Sequence, residues 1–134
     1  MSGLRQAIGQ GEFLITAEVA PPKGSDVTEM LNLATGLKQR VHAVNITDGS
    51  RAMMRLSSLA ACVLLQQQGI EAICQVTCRD RNRIGLQADL LGAQALGIRN
   101  LLALTGDPVK VGDHPKAKAV YDLEAVRLLH LIQR

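Results

Sequence analysis

Short apolar runs alternate along the chain with segments in which apolar residues recur every three or four positions. The apolar runs, which predict buried strands, are 13–20, 43–47, 72–78 and 101–105. The segments with helical spacing, which predict helices, are about 27–41, 51–68, 83–96 and 122–132. The junction from helix to strand recurs about every 29 residues, which is typical of a strand–helix unit.

Repeated strand–helix units predict parallel strands, because a right-handed crossover through a helix returns the chain in the same direction. The nearly continuous apolar runs indicate strands covered on both faces. Four such units are half of a (β/α)8 TIM barrel, which needs about 250 residues. We therefore expect an α/β fold, a half-barrel or truncated barrel, that forms a single domain over residues 1–134. A small doubly wound sheet is the alternative, but its G-x-G-x-x-G fingerprint does not follow the first strand.

Three aspartates stand where helices are expected to begin. Asp26, with Glu29 three residues later, resembles a capping box. Asp80 is expected to cap the helix that follows the third strand, and the last helix is expected to open at Asp122.

Composition narrows the class of protein. Of 134 residues, 47% are hydrophobic and 20% are charged, which supplies a core and argues against disorder. The net charge of +3 is spread along the chain, and the single Phe, single Tyr and absence of Trp argue against nucleic-acid binding. No apolar stretch reaches the roughly 20 residues of a membrane span. Three cysteines without a C-x-x-C pattern suit a reducing cytoplasm and give a poor metal site.

Polar side chains follow each predicted strand, at ends that share one rim in a parallel barrel. Glu18 is the most informative, because it interrupts an apolar run just before Pro21. We expect it to be partly buried, which would favour the protonated form that a general acid requires. The alternative is a glutamate that caps a loop or pairs with an arginine. Gly106 would let a ligand approach the backbone closely, although 106–108 also fits an ordinary turn.

Several segments, taken together, resemble the methylenetetrahydrofolate reductase family. They are AEVAPP at 17–22, VNITDG at 44–49, TCRDRN at 77–82, LQADLLGA at 86–93, LTGDP at 104–108, GDHP at 112–115 and YDL at 121–123. The order and the gaps are compatible with the family from about residue 12 to the end. The form of 78–82 is closer to the bacterial branch that includes reductases fused to a homocysteine methyltransferase.

The resemblance implies an FAD-bearing barrel that reduces 5,10-methylenetetrahydrofolate to 5-methyltetrahydrofolate with NADH or NADPH, within one-carbon metabolism and methionine biosynthesis. Glu18 matches the proposed general acid, and Asp107 matches an aspartate beside the flavin and the folate. The remaining positions that match flavin contacts are Thr47, Gln75, Thr105 and Gly106. Thr105 stands where some members have Arg, and Gln75 stands where some have His.

A catalytic domain of the family is about twice as long as this chain, the length of a full barrel. Folate reduction is therefore expected to be impaired. One alternative is a non-catalytic half-barrel or assembly module that binds flavin or folate weakly, and another is a different barrel enzyme with a phosphorylated substrate. Because a half-barrel leaves two unpaired strand edges, we also expect a homo-oligomer.

Overall fold

The computed structural model describes residues 3–134, which form five α-helices and four β-strands. In chain order the elements are α1 (Gly3–Gly9), β1 (Thr16–Val19), α2 (Thr28–Leu37), β2 (Ala43–Ile46), α3 (Ser58–Gln67), β3 (Ala72–Thr77), α4 (Arg83–Ala95), β4 (Asn100–Leu104) and α5 (Ala125–Ile132). Two short 3₁₀ helices, Ser50–Ala52 and Val109–Val111, lie in the loops after β2 and β4.

The four strands form one parallel sheet in the order β1-β2-β3-β4. The prediction of parallel strand–helix units is confirmed, and the arrangement is consistent with part of a TIM barrel. Strands β1 and β4 are the two edges of this sheet. All four strands point the same way, so their carboxyl ends meet along one rim.

One face of the sheet packs against the helices and forms the core. Val44, Ile46 and Cys74 on this face are at most 2% exposed, and they meet buried residues of helices α2, α3 and α4, which are Met30, Ala34, Ala61, Cys62, Leu65, Leu86 and Ala93. The alternate positions form the opposite face, which we call the inner face. Glu18 and Leu102 lie on the inner face and are exposed in the part of the chain that the structure describes. The expectation that both faces are covered is therefore wrong for the edge strands β1 and β4, whereas Gln75 on the inner face of β3 is buried.

Helix α1, which the apolar pattern did not predict, packs at the amino end of the sheet. The backbone N–H of Leu4 donates to the Glu71 carboxylate at 3.1 Å, just before β3. The side-chain amide of Asn100, at the start of β4, donates to the same carboxylate at 2.9 Å. Leu4 and Ala7 are buried there. Helix α1 therefore covers part of the amino end of the sheet.

Several element boundaries differ from the sequence-based expectation. The first strand covers only Thr16–Val19, and Phe13 is 88% exposed. Asp26 accepts from the N–H and hydroxyl of Thr28 at 3.1 and 2.7 Å, so it forms a local turn rather than a capping box. These hydrogen bonds, the one from the Thr28 hydroxyl first, hold the pKa of Asp26 below its usual value.

The sequence-based expectation for the starts of the last two helices is also wrong. Asn82, not Asp80, caps α4 by accepting from the N–H groups of Ile84 and Gly85 at 3.0 and 3.1 Å. Helix α5 begins at Ala125 rather than Asp122. The side chain of Glu124 caps it by accepting from the N–H groups of Val126 and Arg127. Both aspartates are instead engaged by a neighbouring arginine side chain.

Candidate functional site

Glu18 and Gln75 meet on the inner face near the carboxyl ends of the strands. Glu18 lies on β1, and the amide Nε2 of Gln75 on β3 reaches across β2 to donate to its Oε2 at 3.4 Å. Gln75 is 6% exposed, whereas Glu18 is exposed. The expectation of a partly buried Glu18 is therefore wrong, because β1 is an edge strand and the inner face is open. The contact with an uncharged amide leaves the carboxylate oriented and accessible.

Thr47 lies at the end of β2, between the strands that carry Glu18 and Gln75. Its backbone N–H donates to the carbonyl of Val19 at 3.4 Å. Its side chain is buried, with 2% of the residue exposed, and its hydroxyl has no hydrogen-bond partner among residues 3–134. Most buried polar atoms have a partner, so an orphan of this kind requires an explanation.

Asp48 connects the ends of β2 and β3. Its Oδ2 accepts from the N–H and the hydroxyl of Thr77 at 2.8 and 3.1 Å, and from Nη2 of Arg81. Arg81 also donates to Asp89 on α4 at 3.0 Å. Oδ2 of Asp48 is therefore fully engaged by structural contacts, and it fixes the main chain at the end of β3.

Thr105, Gly106 and Asp107 follow β4 and form a second group of candidate residues. The hydroxyl of Thr105 accepts from the N–H of Ala125 at 3.1 Å, at the start of α5. Gly106 has a φ of +102°, and a Cβ there would lie 3.1 Å from Cβ of Arg79. Oδ2 of Asp107 accepts from the N–H of Arg51 at 2.7 Å. Asp107 is exposed, and its carboxylate meets the loop after β2 through this hydrogen bond.

Arg79, which follows β3, links the loop after β2 to the loop after β4. It was not identified as a site residue from the sequence. Its side chain is 5% exposed, and its Nη1 donates to the carbonyls of Gly49 and Asp107 at 3.1 and 3.3 Å. Its Nε and Nη2 donate to the two oxygens of Asp80 at 2.8 and 2.9 Å. The hydrogen bonds to Asp80 raise the pKa of Arg79 despite its burial. The local sequence, an arginine directly after a strand and followed at once by an acidic residue, is shared by solvated arginines and does not reveal this role.

The loops after β2 and β4 touch each other above the end of β3. A Cβ at Gly112 would overlap the carbonyl oxygen of Ala52, so the two backbones are in contact. Tyr121 stabilises the loop after β4 internally, since its hydroxyl donates to the carbonyls of Gly106 and Asp107 at 3.2 and 3.1 Å. Between the loops lies a cavity of about 290 Å³, which Gly49, Met53, Arg79, Asp113 and His114 help to line.

Other kinds of site receive no support from the described residues. Within residues 3–134, no group of three or more His, Cys, Asp or Glu side chains could hold a metal ion. No helix in the same range is long and apolar enough to cross a membrane. The three cysteines are free and buried. Burial raises the pKa of Cys78, which keeps that thiol protonated.

Comparison with known proteins identifies the family of this chain. The family model described as methylenetetrahydrofolate reductase matches residues 3–134. The 5,10-methylenetetrahydrofolate reductase of Pectobacterium carotovorum subsp. carotovorum is 29% identical over an alignment of 124 residues, and the match covers 90% of this chain. The chain spans only 40% of the length of that relative. Because the family match covers every residue that the structure describes, the resemblance seen in the sequence is confirmed, and the chain belongs to the methylenetetrahydrofolate reductase family.

Proposed function

We propose that the chain forms part of a cytoplasmic, FAD-dependent reductase that converts 5,10-methylenetetrahydrofolate to 5-methyltetrahydrofolate with NADH or NADPH. Membership of the family supports reduction of this folate. The observation that carries the proposal is the buried hydroxyl of Thr47, which has no partner among residues 3–134 and lies near the Glu18–Gln75 pair. A ligand with a polar edge at this end of the sheet would satisfy that hydroxyl.

The residues present fit a flavin at the carboxyl ends of the strands. Thr47 offers an unused hydroxyl, and Gly106 offers backbone without a side chain in a conformation that only glycine adopts readily. The further candidates for holding FAD are Gln75, Thr105 and Asp107. When bound, FAD supplies the hydride-transfer chemistry, and the protein supplies binding, orientation and charge.

Glu18 is the proposed proton donor. Its carboxyl group is exposed to the open inner face, where a folate could reach it, and the Gln75 amide orients it. A proton held on the carboxyl can pass to a nitrogen of the folate and assist opening of its five-membered ring. General acid catalysis of this kind typically contributes about 10²–10⁴-fold in rate.

Asp107 is proposed to set the charge at the other side of the rim. The N–H of Arg51 holds its carboxylate at 2.7 Å, and a fixed negative charge there opposes the gain of electrons by a neighbouring group. The same residue would therefore tune the potential at which a bound flavin accepts electrons.

A second candidate function follows from the length of the chain. Since it spans 40% of the relative it matches and its inner face is open, it could act as a non-catalytic assembly module that binds flavin or folate weakly. Contacts from the remainder of the fold would then complete the site. The two functions differ in how tightly this chain holds FAD without any other polypeptide.

Titration of the purified chain with FAD, followed by quenching of flavin fluorescence, tests the proposal. We expect saturable binding in the wild type and weaker binding in Thr47→Val, by about two- to tenfold for one lost hydrogen bond. Thr35→Val, at an exposed position of α2, is the matched control and should bind as the wild type does. Anaerobic addition of NADH or NADPH should then bleach the visible flavin absorption. Equal binding by both variants would contradict the assignment of Thr47.

A further inference from the structure

The side chain of Arg79 connects three loops of the rim through a single guanidinium group. Its Nη1 donates both to the carbonyl of Gly49, in the loop after β2, and to the carbonyl of Asp107, in the loop after β4. The other edge of the guanidinium is held by both oxygens of Asp80. A lysine ammonium could not replace this planar fork, because it is a point charge on a flexible stem.

The surrounding backbone is shaped to admit this side chain. A Cβ at Gly49 would lie 2.6 Å from Nη2 of Arg79, and a Cβ at Gly106 would lie 3.1 Å from its Cβ. Both glycines have positive φ values, +61° and +102°. The two loops therefore approach Arg79 at positions where any other residue would be strained and would have to displace it.

The spacing that Arg79 maintains determines where the Asp107 carboxylate lies. Arg51 is two residues after Gly49, and its N–H donates to Oδ2 of Asp107 at 2.7 Å. If the loops after β2 and β4 separated, this hydrogen bond would break. Since Asp80 compensates the positive charge of Arg79, the role of Arg79 is geometric rather than electrostatic.

We infer that Arg79 is the positioning residue for the Asp107 carboxylate, acting through the loop that carries Gly49 and Arg51. The catalytic significance of this role rests on the proposed function, in which Asp107 adjoins the flavin. The positioning itself exists in the chain without a cofactor and can be measured there.

Amide hydrogen exchange of Arg51, measured by NMR on the cofactor-free chain, tests this inference. In Arg79→Lys we expect the Arg51 amide to exchange about 10- to 100-fold faster, the loss expected when hydrogen bonds to a charged group are broken. Amides of β2 and β3 should keep their rates. Arg83→Lys is the matched control, since Arg83 makes the same two-pronged contact with Asp122, at 2.8 and 2.9 Å, away from Gly49 and Asp107. An unchanged Arg51 rate in folded Arg79→Lys would overturn the inference.

A second variant covers the case in which Arg79→Lys does not fold. Asp80→Asn keeps the arginine but weakens the hold on its orientation, so the Arg51 amide should exchange faster by a smaller factor. An unchanged rate in Asp80→Asn would then overturn the inference.

In the FAD-loaded chain, the reduction potential of the flavin distinguishes a positioning residue from a merely structural one, which would leave the potential unchanged. Arg79→Lys should shift the reduction potential of the bound flavin in the same direction as Asp107→Asn, and an unshifted potential would contradict the catalytic significance of the role. A chain that fails to bind FAD but loses the Arg51 protection would contradict the proposed function and uphold the positioning role.

Discussion

Replacement of Thr47 by valine should stabilise the cofactor-free chain. Valine has nearly the shape of threonine, so the substitution exchanges a buried hydroxyl for a methyl group and leaves no cavity. The hydroxyl of Thr47 has no partner among the described residues, and the backbone hydrogen bond to Val19 is retained. The substitution therefore isolates the cost of one unsatisfied polar group.

The expected magnitude follows from that cost. An unsatisfied buried hydroxyl costs about 1–3 kcal/mol, so Thr47→Val should raise the free energy of unfolding by about 1–2 kcal/mol. For a chain of this size the change corresponds to a rise of about 3–6 °C in Tm. With FAD bound, the wild-type hydroxyl gains a partner, and the wild type gains more stability from the ligand than the variant does.

Thermal unfolding with and without saturating FAD, followed by circular dichroism, measures both effects. The Tm of Thr47→Val should exceed that of the wild type without FAD, and the difference should shrink or reverse when FAD is present. Thr35→Val should change Tm little in either condition, since Thr35 is exposed and the two residues have similar helix propensities. A lower Tm for cofactor-free Thr47→Val would refute the reasoning, because it would show that the hydroxyl is satisfied within the folded chain.

Four further predictions concern the rim, its acidic residues and the edges of the sheet. In the flavin-loaded protein, Glu18→Gln should lower folate reduction by about 10²–10⁴-fold and leave flavin reduction by NADH or NADPH intact, which stopped-flow absorbance separates. Asp107→Asn should raise the flavin reduction potential, and a redox titration without any change would refute the placement of that charge. The hydrogen bonds from the Arg83 side chain lower the pKa of Asp122 to about 2. This carboxylate therefore stabilises the fold above its unfolded pKa of about 4, and the contribution is lost as the pH falls towards 2. Urea unfolding of Asp122→Asn should show a weaker pH dependence in that window. Light scattering over a dilution series should show a dimer or larger assembly, since β1 and β4 are unpaired edges within residues 3–134 and Leu102 on the inner face is exposed. A stable monomer at micromolar concentration would contradict this prediction.

The elements that could be predicted are those whose burial is dictated by neighbouring residues in the sequence. The apolar run that contains Val44 and Ile46 predicted β2, and the helical spacing around Leu65 predicted α3. Both patterns arise because the strand and the helix bury these residues against each other, and their alternation along the chain predicted the parallel arrangement. The resemblance of 17–22 and 104–108 to one family also pointed to the rim before any geometry was known.

The features that could not be predicted depend on contacts between distant positions. Arg79 reaches Gly49 and Asp107, about 30 residues away on either side, and no local pattern distinguishes it from a solvated arginine. The expectation that Glu18 is partly buried was also wrong. The same apolar run fits a strand that is covered on both faces and a strand at the edge of a sheet. Asn82 caps α4 because it directly precedes the helix, whereas both oxygens of Asp80 accept from Arg79.

The backbone contact between Gly112 and Ala52 has a consequence for how the protein can change during evolution. Since any side chain at position 112 would overlap the carbonyl of Ala52, the loops after β2 and β4 form one exchangeable module rather than two. A relative that lacks glycine at position 112 should also differ in the length or path of the segment that corresponds to 50–52. A chimera that received only one of these loops from such a relative would place incompatible backbones together, whereas a chimera that received both should fold.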